Sequence, residues 1–106
     1  GLQPALRLFE MHLLEAAGFG LQLSHEADSS TKLQAGAWYR YVPDSGPIRC
    51  EYNAKQADQL VSGAALLALK SGRPEDRHLK ELKSLMRRLI RYHLGGRPLQ
   101  SAALFH

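Results

Sequence analysis

Six residues, Leu79, Leu82, Leu85, Met86, Leu89 and Ile90, constrain this chain more than any other feature. They recur at i, i+3, i+6, i+7, i+10 and i+11, which gathers them on one face of an α-helix and scatters them over both faces of a strand. The punctuation agrees with a helix. Gly72 and Pro74 end whatever precedes it, Gly95 offers a residue that takes the left-handed C-cap conformation, and Pro98 lies beyond. The spacing predicts a helix over roughly 75–94, apolar on one side only. Its stripe must be buried against partners from the rest of the chain.

Two further helices offer those partners. Pro4 fits a first helical turn, where its missing N–H is an orphan anyway. Leu6, Phe9, Leu13 and Ala17 then follow at helical spacing, and Leu8, Met11 and Leu14 widen the apolar surface. A helix over roughly 4–17 is predicted, buried on most sides and stopped at Gly18. Ser62 is a good N-cap for a short helix through Gly63-Ala64-Ala65-Leu66-Leu67-Ala68-Leu69. Ser101 is placed to cap a last turn carrying Leu104 and Phe105. Between the helices, residues 24–36 are polar and read as a long surface loop. Trp38-Tyr39-Arg40-Tyr41-Val42 and Pro47-Ile48-Arg49-Cys50-Glu51-Tyr52 flank a Pro/Asp/Gly turn, a hairpin signal. A lone hairpin is marginal in water, so it must pack on the helices. Alternation places Trp38, Arg40 and Val42 on one face, with Tyr39 and Tyr41 on the other. The expected fold class is mainly α: a small helical domain of three to five helices with one β-hairpin insertion.

Composition bounds the function classes. The 106 residues are one domain's worth, and apolar (44%) and charged (23%) fractions near globular averages exclude wholesale disorder and a fibrous repeat. No apolar run approaches the ~20 residues that span a bilayer, and the first residues lack the pattern of a secretory signal. The one cysteine, Cys50, makes no intrachain disulfide, so a reducing, cytoplasmic compartment is expected.

Charge is distributed unevenly. The formal net charge is +4, yet from Arg73 onward eight basic side chains face three acids, while the rest carries six bases and seven acids. On a helical wheel the apolar arc of the long helix centres near ~320°, and Lys83, Arg87, Lys80, Arg91 and Arg77 fall between ~40° and ~160°. Arg87 and Arg91, four apart, can reach neighbouring phosphates or carboxylates. Only Glu81 interrupts the cations between Arg77 and Arg91. This flank suggests an anionic partner, and a merely solvated helix face is the competing explanation.

Other chemistry finds little support. Trp38, Tyr39, Tyr41 and Tyr52 could stack bases, but core packing accounts for most of these rings. None of the histidines His12, His25, His78, His93 and His106 pairs with another at metal-ligand spacing. His12, on the apolar first helix, is expected to be partly buried and hydrogen-bonded. Glu10 and Glu15 point to different faces of one helix and do not form a catalytic carboxylate pair. No nucleophile-elbow, Walker or Rossmann signature is present, so neither an enzyme nor a cofactor is expected.

Two segments resemble the C-terminal domain of the bacterial recombination mediator RecO. PALRLFEMHLLEAAGFG, residues 4–20, is similar to a helix of that family with an aromatic-Glu pair and a Gly-aromatic-Gly exit. LIRYHLGGRPLQSAALF, residues 89–105, is similar to its most recognisable stretch, a helix end running into LGG, a base, Pro-Leu and Ser. The resemblance implies a partner domain, an N-terminal oligonucleotide-binding barrel that these residues do not include. It also implies that the four-cysteine zinc site of some relatives is lost here, because the loop after the first helix lacks cysteine and only Cys50 remains.

In function, the resemblance implies a mediator that binds single- and double-stranded DNA, anneals strands and works with a RecR-like protein in recombinase loading. It would dock the acidic C-terminal tail of single-stranded-DNA-binding protein on this helical domain, in the cytoplasm at the nucleoid. Arg7 matches a basic docking position in the family's first helix, and the following position, often basic, is Leu8 here. Together with the basic flank, the expected binding residues are Arg7, Lys80, Lys83, Arg87, Arg91 and Arg97. Two alternatives remain open: a scaffold positioning the barrel and a RecR-like partner, and a helix-turn-helix regulator built on the Lys70–Glu75 link. Glu75 and Asp76 at the start of the long helix weigh against the latter.

Overall fold

In the computed structural model, which describes residues 2–95, the long helix is the element against which the others are laid. Helix α1 (Leu2–Ala16) comes first, followed by strands β1 (Trp38–Val42) and β2 (Gly46–Cys50). A 3-10 segment (Ala54–Gln59), strand β3 (Leu60–Ser62), helix α2 (Gly63–Ser71) and helix α3 (Asp76–Ile90) follow, and a π turn (Arg91–Gly95) ends the described chain. Pro98, expected beyond the helix end, the last turn after Ser101, and Arg97 lie outside the described residues.

The periodic stripe of α3 does what its spacing requires. Leu82, Leu85, Met86 and Leu89 are buried in one core with Leu14 of α1 and Leu66 and Leu69 of α2. The hairpin closes that core through Tyr39 and Tyr41, while Arg40 faces solvent, as the alternation predicts. Strand order is β2-β1-β3, all antiparallel, with Tyr39 opposite both Arg49 and Val61. The third strand is an addition to the expected hairpin. At three residues it is too short to show alternation, and it runs directly into α2.

Local chemistry fixes the joints. Ser62 caps α2, its Oγ accepting from the Ala65 N–H at 3.1 Å. Glu81 accepts from the Ser62 N–H at 2.6 Å and from Ser62 Oγ at 3.2 Å, which ties α3 to the start of α2. The carboxylate that interrupts the cationic run thus has a structural task. Gly72 ends α2 in the left-handed conformation (φ 76°). Gly63 is required for a different reason, close approach: a Cβ there would stand 1.8 Å from the Gln34 carbonyl oxygen. Backbone from residues 34–37 crosses that junction, with the Gly63 N–H donating to Ala37 O at 2.8 Å.

Three expectations need correction. The segment 24–36 is a pinned loop rather than a free one. Leu33 is buried, the Leu33 N–H donates to Ser24 O and the Ala27 N–H to Pro47 O. The Gln34 N–H donates to Tyr39 Oη at 3.0 Å, so a core ring holds the loop's end. Helix α1 is not buried on most sides. It inserts Arg7, Met11 and Leu14 inward, and Leu2, Leu6, Phe9 and Leu13 stay exposed, Phe9 to 62%. Stepping 100° per residue, this second stripe lies roughly 140° from the first, on the side open to solvent. His12 shares the outward side: its side chain is 66% exposed and 3.8 Å from Glu15. The buried histidines are His78, whose Nδ1 accepts from the Glu75 N–H, and His93.

Among the described residues, no group of three or more His, Cys, Asp or Glu side chains comes together as metal ligands, and Cys50 alone does not fit a four-cysteine zinc site. No described helix is long and apolar enough to cross a membrane.

Candidate functional site

Helices α1 and α3 pack side by side, and an open groove of about 450 Å³ runs along their seam. Arg7 and Glu10, one turn apart on α1, form one wall. Lys83, Arg87 and Ile90 of α3, with Arg91 and Gly95 of the π turn, form the other. The α3 side chains meet there because steps of three and four residues stay on one helical face. Among the described residues, four cations thus share the groove with one carboxylate and one aliphatic side chain.

Arg7 is the unusual member. It is only 3% exposed, a rare state for an arginine. Its Nε lies 2.9 Å from Glu10 Oε1, but the N–H does not aim at the oxygen. Arg7 Nε and Nη1 and Glu10 Oε1 are therefore buried without hydrogen-bond partners. Each such orphan costs about 1–3 kcal/mol, more when charged. Burial also raises the Glu10 carboxyl above its usual range, outweighing the pull of Arg7 and then of Lys83. Lys83, Arg87 and Arg91 have no carboxylate within ion-pair distance among the described residues.

The π turn aims Arg91. Its neighbour His93 is buried, with its ring stacked on Phe19 at 4.2 Å between centroids and 15° between planes. Tyr92 meets the same ring edge-on at 5.0 Å, and His93 Nδ1 stands 3.7 Å from Asp44 Oδ1 of the hairpin turn. With His93 fixed on the inner side, the turn presents Arg91 outward into the groove. Such π turns often mark functional positions.

Of the six expected binding residues, Arg7, Lys83, Arg87 and Arg91 converge here, and Arg97 lies outside the described residues. Lys80 does not join them. It lines a separate hollow of about 480 Å³ with Trp38, Tyr52, Ala54, Ala57, Asp58, Glu81 and Ser84. In that hollow the rings of Trp38 and Tyr52 meet at 4.7 Å between centroids, tilted by 50°. Arg77 is paired with Glu75 at 3.2 Å. Arg88, half-buried on the face toward Asp58, is held below the usual arginine range by burial, which Asp58 opposes and Arg40 reinforces. Sequence reasoning missed Glu10 and Ile90 as groove residues. Glu10 had a legible signal, its i+3 spacing from Arg7, which weighing it against Glu15 concealed.

The family model described as "Recombination protein O C terminal" matches residues 1–103. The chain belongs to this RecO C-terminal family. Among similar curated proteins, each called DNA repair protein RecO, the one from Methylococcus capsulatus is 45% identical over 105 residues, covering 98% of this chain and 42% of that protein. Those from Nitrosococcus oceani (42% identical; 96% and 42% covered) and Halorhodospira halophila (41% identical; 97% and 44% covered) are alike in the same way. The chain therefore spans about two-fifths of the length of the RecO relatives it matches. Those relatives carry the name of a DNA repair protein, and the groove lies within the residues that the family model matches.

Proposed function

We propose that this domain is a non-enzymatic docking module of a recombination mediator, whose α1–α3 groove takes the acidic C-terminal tail of single-stranded-DNA-binding protein. One observation carries the reading: a nearly fully buried arginine, with Nε and Nη1 unpartnered, at a groove where three further cations lack carboxylates. A buried guanidinium with unmade hydrogen bonds suits a carboxylate ligand, which can accept two parallel N–H bonds. Ile90 offers apolar contact for a terminal Phe, and Lys83, Arg87 and Arg91 suit the acidic residues before it. DNA phosphates are the second candidate for the same cations, and a RecR-like protein is a further partner. No cofactor enters this reading, and its setting is the cytoplasm, at the nucleoid.

Calorimetric titration with a short acidic peptide ending in Phe tests it. Binding should weaken with salt, because exposed charges are screened beyond ~8–10 Å at physiological ionic strength. The pair Arg7→Ala and Arg87→Ala should abolish it. Unchanged affinity in that double variant would remove the groove from the mechanism.

A scaffolding role is the second reading, favoured by the outward apolar stripe of α1 (Leu2, Leu6, Phe9 and Leu13). It predicts that the isolated domain binds neither peptide nor DNA.

A further inference from the structure

Among the described residues, Glu10 is the one carboxylate lining the proposed receptor groove for acidic ligands, and any role for it there rests on that docking proposal. Its position is the informative part. Glu10 Oε1 stands 2.9 Å from the Nε of the buried arginine, so it occupies space beside the guanidinium where a ligand carboxylate would be drawn. Yet the contact is electrostatic only, with no aligned hydrogen bond to hold it, and both atoms remain unsatisfied. A pairing so poorly made is easily exchanged for a better one. The glutamate also keeps some freedom, since its side chain is 19% exposed against 3% for the arginine.

We propose that Glu10 is a resident competitor for Arg7, which an incoming carboxylate displaces, and that binding of an acidic ligand draws a proton from solvent onto Glu10. The groups facing Glu10 are Arg7 on its own helix and Lys83, Arg87 and Arg91 from α3 and the π turn. Burial disfavours the ionised form, and Arg7 and then Lys83 favour it. A ligand anion adds like-charge repulsion and takes up part of the cations' attraction, so both changes push Glu10 toward protonation. A group whose pKa rises on binding takes up a proton, so affinity increases as pH falls through the bound-state pKa and levels off below the free-state one. Glu10 thereby tunes how tightly the groove holds anions, and a neutral amide in its place mimics the protonated form at every pH.

The test compares the wild-type chain with Glu10→Gln, Glu10→Asp and Arg7→Ala, titrated with an acidic peptide ending in Phe from pH 7.5 to pH 5. Circular dichroism confirms that each variant is folded. Glu10→Gln should bind about threefold tighter or more near neutral pH, with the advantage shrinking toward pH 5. Because peptide protonation is common to both proteins, the ratio of their dissociation constants isolates Glu10. Glu10→Asp, which keeps the charge, should retain the wild-type pH trend. Equal or weaker binding by folded Glu10→Gln, or a ratio that does not change with pH, overturns the inference. If Arg7→Ala loses binding while Glu10→Gln matches wild type, the docking reading survives and only the role of Glu10 falls. If no protein binds the peptide, both fall.

Discussion

Replacing Arg7 and Glu10 together, as Arg7→Met with Glu10→Gln, should make the isolated domain more stable while destroying its anion binding. Met has nearly the reach of arginine's aliphatic stem and fills the same buried space without polar atoms. The exchange removes two orphaned guanidinium nitrogens and the negative charge of a buried carboxylate whose Oε1 lacks a hydrogen-bond partner. At about 1–3 kcal/mol for each unsatisfied group, relief outweighs the loss of one misaligned ion pair. Apolar replacement of buried ion pairs in general is neutral or stabilising by about 1–4 kcal/mol. A net gain of about 1–3 kcal/mol is therefore expected, or roughly 4–8 °C per kcal/mol in the unfolding midpoint of a domain this size. Urea unfolding followed by far-ultraviolet circular dichroism measures the first quantity, and peptide titration the second. A double variant less stable than wild type by more than about 1 kcal/mol would refute the reasoning, because Arg7 would then be satisfied in the fold and not held for a ligand.

Four other substitutions probe the scaffold. Gly63→Ala should destabilise by about 3 kcal/mol or more, since its Cβ would collide with the Gln34 carbonyl at 1.8 Å, while Gly72→Ala, with nothing within 4 Å, should cost only the ~1–2 kcal/mol of a left-handed alanine; chemical denaturation separates them. Glu81→Ala should cost about 1–3 kcal/mol by stripping Ser62 of both its carboxylate contacts, and amide exchange at Ser62 and Ala65 should quicken. Phe9→Ser should change the stability of the isolated chain by less than about 0.5 kcal/mol, against the ~3–5 kcal/mol of a core phenylalanine, because its ring is exposed.

Sequence legibility followed the reach of each signal. The stripe of α3 was readable because twelve consecutive positions repeat one period, from Leu79 to Ile90. Ser62 and Gly72 were readable because capping is a local event. Tyr39 and Tyr41 followed from the pleat. Where the outcome depended on distant partners, the signal failed. Periodicity found the apolar residues of α1, but it cannot tell Leu14, which is fully buried, from Phe9, which stays 62% exposed. Strand β3 is defined by its pairing with Trp38, Tyr39 and Arg40, which three residues do not announce. In the groove, the α3 cations were visible as a flank of one helix. Separating Lys80 from Lys83 required knowing where α1 lies, because only a neighbouring helix turns half of a basic flank into a cleft.

One imidazole touches three stretches of chain that are far apart in sequence. His93 rests on Phe19 after α1, leans toward Asp44 in the hairpin turn and belongs to the π turn that carries Arg91. It therefore acts like a keystone, and a pull on the neighbouring guanidinium has a short mechanical route to the hairpin tip.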